Sequence, residues 1–337
     1  MNMTKKWNAA AILDLARQFQ PACVLAAAAD LDLFDALAPQ PITAQVAARK
    51  LATDVRGTII LLDALVALQL VRKRNERYSV PRDVAKVLTR HGKASVLAMA
   101  QHQANCLRRW AQLAQTVKTG RPAKRVPSVR GAAADMAAFI GAMDNISAPV
   151  ADEVITPLKK FAFRRLLDVG GASGTWTMAL LRSRPQATAM LFDLPEVIPH
   201  AKQRLTASKF MGRVQLVSGD FMRDPLPSGA DFIWISAIIH QNSRIENRSL
   251  FAKAFRALVP RGRIAIRDII MAPNRTAPVA GALFAVNMLV GTNGGGTFTF
   301  DEVREDLESV GFIQVRVVRW DEAMHSIVVA GKPGGYS

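Results

Sequence analysis

The stretch LLDVGGASG, Leu166–Gly174, decides how the second half of the chain folds. Its apolar residues around Asp168 predict a buried strand, and the closely spaced Gly170, Gly171 and Gly174 predict a tight loop that opens a helix. Such a loop lets backbone N–H groups approach a ligand closely, so it is typical of a cofactor site. The glycine spacing is shorter than the G-x-G-x-x-G dinucleotide fingerprint, so this loop alone does not identify the ligand.

Two later strands are predicted to end in acidic residues at the same edge of the sheet. The strand in ATAMLFDLP ends at Asp193, 19 residues past Gly174, and Leu194 follows it. An acidic residue at that position of a doubly wound sheet binds ribose hydroxyls. The strand in VQLVSGDFM leads to Asp220 and Phe221, where an adenine would be bound. Ligands of such sheets bind beyond the carboxyl ends of the strands, so the three strand ends predict one cofactor site.

The order of predicted elements divides the chain into regions of different fold class. Strands and helices alternate over residues 161–337, which predicts an α/β domain with a doubly wound, Rossmann-like parallel sheet that binds the cofactor. Residues 1–92 are predicted to be mostly helical. Thr43 caps a short helix there, and LVRKRNERYSVP supplies two short strands, which is the outline of a winged helix. Residues 93–160 are predicted to be linker helices that contribute to a substrate pocket.

Length and composition indicate a protein with a large apolar core. The chain has 337 residues, 50% of them hydrophobic, which favours two domains and argues against disorder. The N-terminus lacks the apolar core and cleavage site of a signal peptide, and no stretch approaches the roughly 20 apolar residues of a membrane span. Cys23 and Cys106 match no metal-ligand spacing. They indicate ordinary thiols, no metal site and a cytoplasmic protein without a membrane partner.

Positive charge is concentrated in one band of the sequence. The net charge of the chain is +17, and residues 72–130 contribute +13 of it, with 15 basic residues against two acidic ones. Such a band fits a nucleic acid, an acidic membrane surface or an anionic ligand, and equally a solvated basic face. The helix predicted in TDVRGTIILLDALVALQLV is mostly apolar, whereas a DNA-reading helix needs polar side chains. We therefore do not expect nucleic acid as the partner.

Five stretches together resemble one enzyme family: LLDVGGASG, LFDLPEVI, VSGDFM, IIHQN and LVPRGRIAIRDIIM. In this order they resemble the small-molecule O-methyltransferases of the plant caffeate and bacterial polyketide types. The resemblance covers nearly the whole chain. It implies a class I methyltransferase sheet, S-adenosyl-L-methionine as cofactor, a homodimer formed through the N-terminal domain, and a small aromatic or polyketide-like acceptor. It also assigns the cofactor to these residues: Asp168, Gly170, Gly171, Gly174, Asp193, Leu194, Asp220, Phe221 and Ser236.

The same resemblance makes His240 the candidate general base. A largely neutral imidazole suits removal of a proton from a phenol or enol while the acceptor is held in line with the methyl group. Asp268 matches the first of two acidic residues that flank the base in the family. Thr297 falls where the second one is expected, and Gln241 follows the histidine where the family has an acidic residue. The acceptor pocket is predicted to include Met143, Phe284, Asn287, Met288 and Thr297.

Three hypotheses follow from these observations. The first is transfer of a methyl group to a hydroxyl of a small molecule, with His240 as base. The second is a cofactor-binding homologue that does not methylate, or that methylates carbon or nitrogen, because Gln241 and Thr297 replace the expected acidic residues. The third is a DNA-binding regulator, which the apolar character of the winged-helix region disfavours.

Overall fold

The structure, a computed structural model, describes residues 6–334. Its chain divides into two units: residues 1–111 with 125–145, and residues 112–124 with 146–337. The domain boundaries predicted from the sequence stay predictions. The helices are α1 (Ala9–Arg17), α2 (Phe19–Asp30), α3 (Leu33–Leu37), α4 (Ala44–Leu51), α5 (Val55–Ala67), α6 (Arg82–Leu88), α7 (Leu97–Trp110), α8 (Leu113–Thr119), α9 (Ala132–Ser147), α10 (Ala151–Val154), α11 (Thr175–Ser183), α12 (Ile198–Ala207), α13 (Arg244–Ala257), α14 (Val279–Gly291) and α15 (Phe300–Glu308).

The strands form a small sheet in the first unit, and a large sheet and a short ladder in the second. They are β1 (Ile42–Thr43), β2 (Arg72–Arg74), β3 (Arg77–Ser79), β4 (Arg165–Val169), β5 (Thr188–Asp193), β6 (Val214–Ser218), β7 (Ala230–Ser236), β8 (Leu258–Asp268), β9 (Ile270–Met271), β10 (Phe298–Thr299), β11 (Ile313–Arg319) and β12 (Ser326–Gly331). The small sheet has the order β1-β3-β2 and is antiparallel. The ladder pairs β9 with β10 in parallel.

The first unit is a helical body with a two-stranded wing formed by β2 and β3. Thr43 caps α4 by accepting a hydrogen bond from the backbone of Val46, as the sequence predicts. The N-terminal segment forms α1, α2 and α3, and Asp32, whose backbone is left-handed, separates α2 from α3. Residues 93–125 contain two helices, α7 and α8.

The large sheet of the second unit has the order β11-β12-β8-β7-β4-β5-β6. Strands β4 to β8 are parallel, which confirms the doubly wound fold, and β4 lies between β5 and β7. The strand order therefore reverses at β4, the position where open α/β sheets bind their ligands. Strands β11 and β12 add an antiparallel edge, because the short link between them cannot make a parallel crossover.

Alternate residues of the central strands bury apolar side chains on both faces of the large sheet. One face packs Leu166 and Trp234 against α11 and α12, and the other packs Leu167 and Ile233 against α13 and α15. This double burial explains why the strands are nearly continuous apolar runs in the sequence. It also fixes the carboxyl ends of β4 to β8 along one edge.

Within residues 6–334, no helix has the length and apolarity that crossing a bilayer requires. Within the same residues, no cluster of His, Cys, Asp and Glu side chains has the arrangement of a metal site.

Candidate active site

The glycine loop after β4 is packed so tightly that it has no room for side chains. Gly170 has a φ of +67°, and a Cβ there would lie 2.6 Å from Cδ1 of Ile238. A Cβ on Gly171 would lie 2.6 Å from Cγ of Leu191, and Gly174 has a φ of +80°. Glycine is the residue that tolerates both the backbone conformation and the contact. The loop can therefore pack this closely against Ile238 and Leu191 at the point where the strand order reverses.

Asp193 ties this loop to the next strand. Its Oδ2 accepts a hydrogen bond from the backbone N–H of Ala172 at 2.8 Å, and its Oδ1 accepts one from Leu194 at 2.7 Å. Burial raises the pKa of Asp193, and the two N–H groups oppose that shift. The side chain is still partly exposed, and each carboxylate oxygen has a second lone pair. Asp193 can therefore hold the loop and still accept hydrogen bonds from a ligand.

The segment after β6 brings Asp220 and Phe221 to the same edge. A Cβ added to Gly170 would lie 4.0 Å from Cε1 of Phe221, so the aromatic ring borders the loop. The ammonium group of Lys253 donates to the backbone carbonyl of Phe221 at 2.8 Å, which holds this residue in place. Asp220 accepts from the backbone N–H of Met222 at 2.8 Å, and its side chain is about one-third exposed. The structure thus brings together the residues predicted at the three strand ends.

Asp168 lies beneath the loop with almost no solvent exposure. The hydroxyl of Thr177, on α11, donates to its carboxylate at 2.5 Å. Burial raises the pKa of Asp168 to about 7, and the Thr177 hydrogen bond only partly offsets that effect. Asp168 therefore anchors the start of α11 below the loop. The sequence did not single out Thr177, although its place two residues into that helix was visible.

His240 and Asp268 form a buried pair at the ends of β7 and β8. Nδ1 of His240 lies 2.9 Å from each carboxylate oxygen of Asp268, whose Oδ1 also accepts from the backbone N–H of Ile269 at 2.8 Å. The ring of Phe284, on α14, meets the imidazole edge to face at 4.8 Å. This arrangement leaves Nε2 as the ring nitrogen that the pair does not use. It is the geometry of an imidazole that is oriented by a carboxylate.

The backbone around His240 is held by neighbours that the sequence did not identify. The amides of Asn242 and Asn247 are hydrogen-bonded at 3.1 Å inside the protein, and Asn247 also donates to the carbonyl of Ile239 at 2.9 Å. The backbone N–H of Gly296 donates to the carbonyl of His240 at 2.9 Å. The turn that carries the histidine is therefore fixed from two sides. The sequence did carry a signal for these contacts, because Asn242 and Asn247 lie on either side of the start of α13.

The predicted pocket residues do not all lie in the same unit. Phe284, Asn287 and Met288 are on α14, and Thr297 is buried in the loop that precedes β10. The backbone carbonyl of Thr297 accepts from Arg275 at 2.9 Å, and Gly296 beside it bonds to the His240 backbone. Met143 is on α9 in the first unit. The structure thus brings Phe284 and the Thr297 segment to His240 within the second unit.

A buried arginine next to Asp268 is the main site feature that sequence reasoning missed. Arg267 has 1% of its surface exposed, and its guanidinium stacks on Trp176 at 4.4 Å. It donates to the hydroxyl of Ser236 at 2.8 Å and to Nδ1 of His325 at 3.1 Å. Burial lowers the pKa of Arg267 to about 10, and burial and the guanidinium both lower the pKa of His325. A charged residue inside the apolar run IAIRDII was the available signal.

The basic band of residues 72–130 is divided between the two units of the structure. On the wing, Lys73 pairs with Asp63, whereas Arg72 and Arg74 are exposed. Arg108 is bonded to Asp30 at 2.7 Å in the interior of the first unit. Residues 112–124 of the band belong to the second unit, and residues 125–130 belong to the first. Basic residues that are close in the sequence therefore differ in exposure and in partners.

Together the three strand ends bring the glycine loop, two carboxylates with unused lone pairs and an aromatic ring to one edge of the sheet. Such a cradle fits a nucleoside cofactor with a flexible tail, because the tail can lie against glycine backbone and the ribose against Asp193. The His240–Asp268 pair lies on the neighbouring strand ends of the same edge. The arrangement is suited to removing a proton beside a bound cofactor.

Comparison with known proteins is consistent with this geometry. The O-methyltransferase domain profile matches residues 110–313, and the O-methyltransferase dimerisation domain profile matches residues 13–91. The chain is 31% identical to the 3-hydroxy-5-methyl-1-naphthoate 3-O-methyltransferase of Streptomyces sahachiroi, over 95% of this chain and 94% of that one. It is 31% identical to the tetracenomycin polyketide synthesis 8-O-methyl transferase TcmO of Streptomyces glaucescens, over 90% and 91%.

One solved structure adds a comparison in three dimensions. It is the crystal structure of human N-acetylserotonin methyltransferase in complex with SAM, which is 26% identical to this chain and superimposes with a TM-score of 0.78. The match covers 98% of this chain and 100% of the human one.

Proposed function

This chain belongs to the S-adenosylmethionine-dependent O-methyltransferase family, and from that premise we propose that it methylates a hydroxyl group of a small aromatic or polyketide-like molecule, with His240 as general base. The observation that carries the assignment of the base is the buried His240–Asp268 pair, with both carboxylate oxygens at 2.9 Å from Nδ1. The pair lies at the edge of the sheet where the glycine cradle is.

When bound, S-adenosyl-L-methionine supplies a methyl group on a positively charged sulfur, which is already a strong electrophile. Gly170, Gly171 and Gly174 present the loop backbone to its methionine part, Asp193 accepts from its ribose hydroxyls, and Asp220 with Phe221 borders its adenine. Asp168, Leu194 and Ser236 complete the cofactor site. These roles are supported by the positions of the residues at the ends of β4 to β7.

His240 removes the acceptor proton through Nε2. Asp268 holds the proton on Nδ1, so that Nε2 carries the free lone pair and the imidazolium that forms is stabilised by a neighbouring negative charge. Phe284 contacts the imidazole ring and helps exclude water from it. An un-ionised phenol or enol is a poor nucleophile. Removal of its proton is therefore the main chemical contribution of the protein, together with orientation of the acceptor.

The acceptor we propose is a flat, largely apolar molecule with a hydroxyl on an aromatic ring. Two relatives are named for a hydroxynaphthoate and for tetracenomycin polyketide synthesis, and a third for N-acetylserotonin. Phe284 and Met288 lie on α14, whose sequence contains no charged residue. That apolar helix supports an aromatic acceptor rather than a sugar. Met143, Asn287 and Thr297 are the further pocket residues of this proposal.

We propose that the protein works in the cytoplasm as a homodimer assembled through its N-terminal domain. Supporting this, the dimerisation domain profile matches residues 13–91. Apolar side chains of the N-terminal helices are left exposed, among them Ile12, Leu15 and Phe19 at 50%, 48% and 55%. A monomer would leave this apolar surface in water, whereas a second copy of the chain can cover it.

The test of this function uses three probe acceptors: 3-hydroxy-1-naphthoate, N-acetylserotonin and a tetracyclic polyketide phenol. Purified protein is incubated with methyl-labelled S-adenosyl-L-methionine, S-adenosylhomocysteine is quantified, and the methylated atom is identified by NMR. At least one probe should become a methyl ether. His240→Ala should lower the rate by about 10²–10⁴-fold without changing cofactor affinity. His200→Ala, an exposed histidine on α12, is the matched control. Full activity of His240→Ala would refute the base role.

A second function is favoured by one observation. Gln241 is exposed, and Thr297 is buried where an acidic residue would be expected to assist the base. A homologue that binds the cofactor without methylating, or that methylates carbon or nitrogen, would need no such residue. Consumption of acceptor without matching formation of S-adenosylhomocysteine, or a methyl group on carbon or nitrogen, would establish this alternative.

A further inference from the structure

A second concave site lies at the opposite end of the large sheet from the glycine loop. It is a cavity of about 280 Å³ between the start of β8, the start of β11 and the end of β12. Arginine and lysine are the only charged residues among those that line it: Arg261, Arg263, Arg316 and Lys332. A cavity with only positive charge in its lining is a candidate for binding an anion.

Two of these arginines are ordered by one aromatic ring. The guanidinium carbons of Arg263 and Arg316 lie 5.3 Å and 5.7 Å from the ring centre of Phe161, which is itself buried. Because both distances end at the same ring, the two guanidinium groups are no more than about 11 Å apart. The ammonium group of Lys160 lies 5.3 Å from the same ring. Cation–π contacts thus hold like charges close together.

These arginines have no acidic partner in the described part of the chain. Arg261, Arg263 and Arg316 form no ion pair there, whereas Arg319, at the end of the same strand as Arg316, pairs with Glu153 at 2.9 Å. Lys332 is committed elsewhere, since its ammonium group donates to the backbone carbonyls of Phe255, on α13, and Leu258, at the start of β8. The cavity is therefore lined by arginines that have no ion-pair partner within residues 6–334.

We propose that this cavity binds a small, multiply charged phosphate anion of about the size of pyrophosphate. A guanidinium group offers planar paired donors that match phosphate oxygens, so Arg263 and Arg316 can each engage one end of such an ion. The volume is at the low end of small-molecule sites, which favours a compact ion over a larger ligand. The anion would supply the negative partner that these arginines lack among the described residues.

The site is separate from the cofactor site. Arg263 and Asp268 are five residues apart on β8, and an extended strand advances about 3.3 Å per residue, so the two sites are roughly 17 Å apart. An anion in this cavity does not compete with the cofactor. The proposal stands on charge and geometry alone and does not depend on the methyl transfer assigned above.

The experiment is a calorimetric titration of the full-length protein with sodium pyrophosphate at fixed ionic strength. We expect one ion per chain, and the same affinity when S-adenosylhomocysteine is saturating. A parallel titration with ADP tests whether a diphosphate within a nucleotide also binds. Affinity for pyrophosphate equal to or tighter than that for ADP supports the compact ion, whereas clearly tighter ADP binding overturns that choice of ligand.

The variants assign the binding to this cavity. The double variant Arg263→Gln with Arg316→Gln should weaken pyrophosphate binding at least tenfold. Arg256→Gln, an exposed arginine on α13 outside the cavity, should leave it unchanged. Arg316→Lys keeps the charge and the fold, and should weaken binding less than Arg316→Gln does. Absence of binding by the wild type, competition with S-adenosylhomocysteine, or equal weakening by Arg256→Gln would overturn the proposal.

Discussion

Asp268→Asn is the substitution that tests the chemistry of the His240 pair most sharply. In the native protein, Oδ1 of Asp268 is shared by Nδ1 of His240 and the backbone N–H of Ile269. In the variant, the amide oxygen stays with the Ile269 N–H, because that donor cannot be satisfied by an amide NH₂. The NH₂ group then faces Nδ1, which forces the imidazole proton onto Nε2. The base would hold its proton on the nitrogen that must accept one.

The expected loss of rate in Asp268→Asn has two causes. Loss of a hydrogen bond to a charged group costs about 1.5–3 kcal/mol, which corresponds to roughly 10–150-fold in rate. The wrong tautomer adds to this loss, and in a serine protease triad the same substitution lowers kcat by about 10⁴-fold. We therefore expect kcat to fall between about 10² and 10⁴-fold at neutral pH. Recovery is expected at high pH, where a phenolic acceptor ionises without help.

The assay is single-turnover formation of S-adenosylhomocysteine from a preformed enzyme–cofactor complex mixed with an acceptor phenol. Cofactor affinity, measured separately by calorimetry, should change less than twofold. Asp301→Asn is the control, since Asp301 is an exposed carboxylate that pairs only at the surface with Arg304. A rate for Asp268→Asn within threefold of the wild type, or a loss that does not recover at high pH, would refute the reasoning.

Three more predictions follow from the cradle and from the N-terminal surface. Gly170→Ala should lower the free energy of unfolding by about 2–4 kcal/mol, because the added Cβ meets Ile238 and the backbone φ is positive. Denaturant titration measures the loss, and unchanged stability would contradict the close packing of the loop. Because burial raises the pKa of Asp168 from 3.8 to about 7, the unfolding free energy of the apoprotein should fall as pH rises from 4 to 7, by about 3 kcal/mol from this group. Asp168→Asn should remove that part of the pH dependence. If the unfolding free energy of the wild type minus that of the variant does not vary with pH, the carboxyl is already ionised at pH 4. Phe19→Glu should convert the dimer to monomer in sedimentation experiments, and a dimer that persists would place the interface elsewhere.

The sequence predicted the elements that follow from local pattern. Apolar runs ending in Gly170, Asp193 or Asp220 indicated parallel strands with a common ligand edge, and the structure has that sheet. Each of these signals lies within a few residues of chain, where periodicity and turn chemistry are informative. The contact of His240 with Asp268 came from the family resemblance, because 28 residues separate the two side chains.

The contacts that the sequence did not predict depend on register between distant strands. Arg267 meets His325 only because β8 and β12 pair with Ser326 opposite Asp268. Asp193 accepts a hydrogen bond from Ala172 only because the glycine loop turns back onto β5, which the sequence does not show. Periodicity gives the face on which a side chain lies, but not its partner across the sheet.

The hydrogen bond between Arg267 and Ser236 determines how the Ser236 hydroxyl can bond to other groups at the end of β7. A guanidinium group can only donate, so it occupies a lone pair of the Ser236 oxygen and cannot receive the serine proton. The hydroxyl hydrogen must therefore be directed to some other acceptor. A molecule that lies against the end of β7 therefore meets a hydroxyl whose hydrogen is available to a carboxylate or carbonyl oxygen.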